Sequence, residues 1–248
     1  MSAPQPLTNL GPDSPGLRMF PPPADVFVED QLWLADHLHP LVSVDLSLVD
    51  PALSGWTHLV SPIEPDEVVI GWRTAAVAAR ADPTGMLREN WLPFRMEGDR
   101  MRFLGDERYF ALSYDADSAP MEPHDFDRLV AHRDEQQRSW AATRAWYDEH
   151  GTLVRLDESG APAWGNTDPV PVLEQVGGIA GAGNWAFDEF PVEFTDDEEG
   201  AFPLSPAGRR FQLVAEVPGW HYRTAGADGI LLFHEPVEQL ALLTFDWT

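Results

Sequence analysis

One stretch, Asp125 to His150, sets the frame for the rest of the chain, because it is the clearest helix in it. Pro123 to Asp125 supply a stop and a cap. Acids cluster in the first turn, where the helix dipole favours them. Phe126, Leu129, Val130, Trp140, Ala141 and Ala145 are consistent with a core-facing stripe, and Gly151 sits where a helix-ending glycine belongs. The chain on either side is punctuated by Gly and Pro and reads mainly as short strands. Upstream, "VFVEDQLWLADHLH" from Val26 to His39 predicts a short helix ended by Pro40, and "RTAAVAARA" a second helix that stops at Asp82-Pro83. "LVSVDLSLV", "THLVSP" and "DEVVIGW" read as strands, and "RMRFLG" pairs with "RYFALSYD" as a hairpin across Asp106-Glu107. Downstream, "TLVRLD", "VPVLEQV", "WAFDEFPVEF", "FQLVAEV", "GILLF" and "LALLTFDW" are all strand-like.

The fold class expected is therefore α+β, mostly antiparallel sheet with a long helix near the middle of the chain. Residues 1–25 hold seven prolines and read as a flexible tail. Residues 26–150 form an α+β region, and residues 151–248 a β-rich acidic region that packs with it or stands as a second domain. The 248 residues, 44% apolar with ten tryptophans, are enough to bury a substantial core. No apolar run approaches the roughly 20 residues that span a bilayer. The N-terminus lacks the basic start and apolar centre of a signal peptide, so a soluble cytoplasmic protein is expected.

Charge narrows the function classes. The formal net charge is −25, and all 16 basic residues are arginines. Without cysteine there are no disulfides, no thiolate chemistry and no cysteine-bound zinc. Without lysine there is no Schiff-base catalysis and no phosphate-binding P-loop of the usual kind. Such a surface repels nucleic acid and anionic membranes and attracts cationic partners. Between Arg155 and Arg209 no basic residue occurs, while acids recur from Asp157 to Glu199. Carboxylates crowded in this way raise one another's pKa and strain the fold unless something positive relieves them.

Candidate chemistry is thin beside this charge. His37 and His39 in "DHLHP" would share one side of a strand and could ligate a metal, but a histidine pair at a helix end is also favoured by the dipole alone. "GGIAGAGNWA" contains a Gly-x-Gly-x-x-Ala string, yet a strand-like acidic run follows it where a dinucleotide site needs a helix. "TDDEEG" lacks the alternating ligands and closing glutamate of an EF-hand. No Gly-x-Ser-x-Gly elbow singles out a nucleophile. Asp115 and Asp117, at the end of the strand-like "RYFALSYDAD", read as a solvated strand end on a binding face.

The run "ENWLPFRMEGDRMRFLGDERYFALSYDAD", Glu89 to Asp117, resembles the signature region of the SUKH superfamily, the cell-wall-regulator-like and bacterial immunity proteins. Trp91, Pro93, Phe94, Gly98, Asp99, Tyr109, Leu112, Asp115 and Asp117 fall in the order of its Trp-x-Pro-Phe strand, polar turn and aromatic strand ending in Asp-x-Asp. A helix follows that region in the family. The C-terminal "ADGILLFHEPVEQLALLTFDW" is also similar to the YwqG-like family. The resemblance implies a non-enzymatic protein of immunity or inhibitor type. The partner expected is a basic protein such as a toxin, met by Asp115, Asp117, Asp188, Glu189, Glu193, Asp196, Asp197, Glu198 and Glu199, with Trp185 as an anchor. No cofactor is expected. The rivals are a carboxylate- or metal-dependent hydrolase using His37 and His39, and a scaffold whose acidity only keeps it soluble.

Overall fold

A computed structural model describes residues 5–64, 69–187 and 189–247. In chain order the strands are β1 (Leu7–Leu10), β2 (Leu17–Met19), β3 (Leu38–Asp45), β4 (Trp56–Pro62), β5 (Trp91–Glu97), β6 (Arg100–Phe103), β7 (Leu173–Val176), β8 (Ala180–Gly181), β9 (Val192–Phe194), β10 (Gly200–Pro203), β11 (Gln212–Val217), β12 (Gly229–Glu235) and β13 (Leu240–Asp246). The helices are α1 (Pro23–Val26), α2 (Ala75–Ala78) and α3 (Pro123–His150). The class is α+β with antiparallel sheets and one long central helix, as the sequence pattern predicts. The main sheet has the order β1-β7-β11-β12-β13-β5-β6, and two three-stranded sheets, β2-β3-β4 and β8-β10-β9, accompany it. Strands from both sides of Gly151 interleave in the main sheet, where β13 pairs with β5.

The centre of that sheet explains the unbroken apolar runs of the C-terminal segment. Every residue of β12 is buried, and β13 is buried from Leu240 to Phe245, so both faces are covered. Alternate residues then serve two cores. Ile230, Leu232, Leu243, Phe245, Leu92 and Phe94 join Val42, Val44, Leu59 and Val60 of the β2-β3-β4 layer. Leu231, Phe233, Leu240, Leu242 and Trp91 turn the other way, against Trp185, Ala201 and Phe211. A bulge in β11 keeps this division. Leu213 faces Phe233, whereas Ala215, two residues on, faces Leu232 and the first core.

α3 begins on Pro123 and ends on Gly151, whose positive φ of 69° and N–H bond to the Tyr147 carbonyl close the last turn. Its buried side differs from the stripe read off the sequence. Phe126, Leu129, Gln136 and Thr143 are buried and Trp140 and Tyr147 half-buried, but Ala141 and Ala145 face solvent. Alanine favours helix on either face, so its position carries no burial signal. The helix rests partly on Phe20, whose ring lies 6.3 Å from Trp140 and 5.4 Å from Tyr147.

Several other expectations are corrected. The segment after β6 is no strand: Glu107–Tyr109 and Ala111–Ser113 are 3-10 turns, and Tyr109, Phe110 and Ala111 are buried in succession. β6 pairs instead with β5, its nearer neighbour, because Gly98 takes a φ of 63° in a two-residue hairpin loop. The predicted helix of Val26 to His39 is a 3-10 segment, Glu29–Asp36, broken at Gln31. Pro40 lies inside β3 at a register shift that accommodates its missing N–H. The expected flexible tail contributes β1, paired with β7, and β2, paired with β3. "TLVRLD" makes only isolated bridges, and in "WAFDEFPVEF" just Val192–Phe194 is extended in a ladder. Of "DEVVIGW", residues 66–68 lie outside the described residues and 70–72 form a turn. No helix among the described residues is long and apolar enough to cross a membrane.

The two-faced core makes a quantitative expectation. Leu232→Ala should cost about 2–5 kcal/mol of unfolding free energy in urea titration, as a fully buried leucine of a central strand. Ala141→Gln, on the solvent side of α3, should stay within about 0.5 kcal/mol. Comparable losses from the two would refute this placement of the helix.

Candidate functional site

The acidic segment predicted as a binding face is built around the β9–β10 hairpin. Its loop is rigidly bonded within itself. Thr195 N–H donates to the Gly200 carbonyl at 2.9 Å, and Gly200 N–H to Thr195 Oγ1 at 3.0 Å. Thr195 Oγ1 donates to Asp197 Oδ1 at 2.5 Å and Glu199 N–H to the same oxygen at 3.2 Å, which holds the Asp197 carboxyl below its ordinary range. Asp196, Asp197, Glu198 and Glu199 are all exposed, and none meets a guanidinium among the described residues. Glu198 adopts a φ of 60°, a left-handed conformation uncommon for a side chain of its size. Ile179 stands at the base of this loop. It is 46% exposed and lies so close to Gly200 that a Cβ there would come within 2.6 Å of Ile179 Cγ2.

Other members of the predicted face separate from this loop. Glu193 is neutralised by the chain itself: Arg210 Nε and Nη2 reach its two carboxylate oxygens at 2.7 and 2.5 Å and hold its pKa down. Trp185 is 1% exposed and cannot anchor a partner. It packs on Phe233 at 5.3 Å, its Nε1–H bonds the Gly181 carbonyl, and its own carbonyl accepts Trp91 Nε1–H at 2.8 Å. Glu189 is exposed, while Asp188 lies outside the described residues. Asp115 and Asp117 are exposed in the loop that leads to α3, not at a strand end.

His37 and His39 do not form a metal pair. His37 stacks on Phe110 at 4.5 Å, its Nε2 lies 3.2 Å from Ser113 Oγ, and its Nδ1 is 4.0 Å from Glu64. His39 stacks on Trp140 at 4.5 Å. Among the described residues no three His, Asp or Glu side chains are grouped to hold a metal ion. Burial, aided by Arg133, lowers the His37 pKa to about 4, and burial, aided by Arg223, lowers that of His39 to about 3. Glu64 accepts the backbone N–H groups of Ala111 and Leu112, yet burial outweighs these bonds and pushes it up to about 7.

The same interior holds a feature that no local sequence pattern marks. Arg223 is only 4% exposed, and its one hydrogen bond among the described residues goes from Nη2 to Ser61 Oγ at 2.7 Å. Its Nε and Nη1 find no partner there, nor do His39 Nδ1, Gln136 Oε1, Trp140 Nε1 and Thr224 Oγ1 around the polar underside of α3. Arg223 and Thr224 form part of the wall of a cleft of about 580 Å³, with Arg155, Trp164 and Trp220. Arginine is normally a surface residue, and this one follows a Gly-Trp-His-Tyr turn with nothing nearby in sequence to announce its burial.

The buried titrations give a pH signature. A histidine held below its unfolded value of 6.5 contributes stability above that pH and loses it as the pH falls towards about 3, the value for His39. Glu64 has the opposite sign: raised from 4.5 to about 7, its contribution is full below 4.5 and is lost as the pH rises through 7. His39→Phe should therefore gain on the parent as the pH drops from 6.5 to 4.5, by up to about 1.4 kcal/mol per pH unit, and Glu64→Gln should gain as it rises. Urea midpoints across that range check both signs; parallel profiles would refute them. No protein-family model matches this chain, and no curated protein or solved structure matches it.

Proposed function

We propose that this chain is a non-enzymatic binding protein of the inhibitor or immunity type, acting in the cytoplasm on a basic protein partner such as a toxin. The observation that carries the reading is the β9–β10 hairpin. It presents four carboxylates in a loop bonded to itself, with no guanidinium against them among the described residues. Other arginines are already engaged by carboxylates: Arg102 by Asp30 and Glu97, Arg108 by Asp106, Arg209 by Glu238 and Arg210 by Glu193. The loop's field is therefore left directed outward. Ile179 beside it adds the apolar contact that a charge-steered complex needs to become long-lived.

A basic cleft built to hold phosphates would be met by fixed carboxylates, which speed encounter and exclude the substrate. The resemblance of Glu89 to Asp117 to the SUKH superfamily supports the same reading through Trp91, Pro93, Phe94, Gly98 and Asp99, which lie on β5 and its hairpin turn. Tyr109 to Asp117 does not form the second strand of that pattern and lends it no support.

The test is comparative affinity capture. Wild type should retain a basic protein whose association rate falls steeply from about 50 to about 500 mM salt, as the screening length shrinks to a few ångströms. A variant carrying Asp196→Asn, Asp197→Asn, Glu198→Gln and Glu199→Gln should lose it while keeping its melting temperature. Identical captured proteins from both, or a rate indifferent to salt, would refute the proposal.

A further inference from the structure

We propose that the cleft beside the C-terminal part of α3 binds a small carboxylate or phosphate ligand that carries a flat ring, with Arg223 holding the anionic group and Trp164 the ring. The cleft lies between the 155–164 segment and the turn at 220–224. Its volume of about 580 Å³ suits a ligand of metabolite size.

Three observations converge on it. The first is Arg223 itself. A guanidinium taken out of water needs a counter-charge or a full set of acceptors, and this one has a single hydroxyl. The chain has 41 acidic residues against 16 arginines, so a partner carboxylate would have been easy to supply. Among the described residues none pairs with it. Burial drives its pKa down to about 9. A buried cation left with unfilled donors in this way is complementary to an anion.

The second is Arg155, on the opposite wall. Its guanidinium lies 4.3 Å from the ring of Trp220 and 5.2 Å from that of Trp164, and it has no hydrogen bond or ion pair among the described residues. The third is Trp164. It is 85% exposed, the most open of the large apolar side chains among the described residues, and its φ of 55° is a left-handed conformation that an indole residue adopts at a cost. A flat ring laid on so open an indole gains stacking energy without burying any polar group.

Two acids of the same lip limit where the anionic group can sit. Asp157 Oδ1 is occupied by Ser159 N–H, Ser159 Oγ–H and Ala161 N–H, whereas Glu158 is exposed and disfavours an anion at the mouth. The anion is thereby directed inward to Arg223, whose unpaired nitrogens are closed to solvent in this conformation. Binding as proposed requires the 223–224 turn to open so that these nitrogens face the cleft.

The full chain should be titrated calorimetrically with indole-3-acetate and with adenosine 5′-monophosphate, beside indole-3-acetamide, adenosine and inorganic phosphate. At least one of the two ring-bearing anions should bind at one site per chain. It should bind about tenfold or more tightly than its neutral counterpart and than inorganic phosphate. Which of the two binds distinguishes a carboxylate ligand from a phosphate one. Arg223→Met and, independently, the exposed Arg155→Met should each weaken that binding about tenfold or more. Arg223→Met should also raise the melting temperature, because it removes an uncompensated buried charge. The proposal is overturned if neither anion binds saturably by about 10 mM, if the neutral analogues bind equally well, or if Arg223→Met keeps the affinity. It is also overturned if Arg223→Met lowers the melting temperature, which would make Arg223 a structural residue.

Discussion

The β12–β13 pair is the constraint from which the rest of the architecture follows. Two adjacent strands covered on both faces oblige the chain to supply two separate covers, one for each set of alternating side chains. The β2-β3-β4 layer, partly roofed by α3, is one; the β8-β10-β9 layer with Trp185 and Phe211 is the other. Each candidate binding element is carried by a cover, not by the central sheet. The acidic hairpin belongs to the second cover, and Arg223, hydrogen-bonded to Ser61 of β4, belongs to the first. A macromolecular partner at one and a small ligand at the other would approach opposite sides of the same rigid sheet.

The distribution of charge has a matching logic. Most arginines whose partners are seen are used locally and at the surface, in pairs such as Arg102 with Glu97 or Arg108 with Asp106, which contribute little stability each. Among the described residues, uncompensated charge of opposite sign stands out at the hairpin loop, with its four exposed carboxylates, and at Arg223 in the wall of the cleft. A net charge of −25 accounts for the first without special arrangement, since acids outnumber bases throughout. It makes the second harder to explain by chance, because any nearby acid could have closed the pair. α3 contributes to this by turning Gln136, Trp140 and Thr143 inward where an ordinary amphipathic helix would turn leucines.

The sequence was legible where local physics decides the outcome. The helix ends follow from Pro123 and Gly151, and β12 and β13 follow from their apolar runs. It was misleading where tertiary context overrides pattern. The alternation in Arg108 to Asp115 looks like a strand, but Tyr109, Phe110 and Ala111 are all drawn into the core through two 3-10 turns, and the edge of β6 away from β5 meets Phe27 instead. Prolines in the first 25 residues suggest a tail, yet Pro6, Pro12 and Pro15 all fall outside the short ladders of β1 and β2 and obstruct no hydrogen bond. The acidic loop was visible as composition, whereas the pairing of Glu193 with Arg210 needed the register of β9 beside the following loop. Burial of Arg223 has no sequence signal at all, since it arises from Ser61, more than a hundred residues away.

The position of β13 between β12 and β5 also governs how the molecule comes into being. During synthesis the β5–β6 hairpin emerges early, with the edge of β5 bare, and its sheet neighbour is not available until residues 240–246 have been made. β1 waits in the same way for β7. Such wide separation along the chain makes closure slow and leaves unpaired apolar edges open in the interval. Until its last strand, β13, joins β12 to β5, a nascent chain of this kind keeps two apolar sheet edges open to wrong partners.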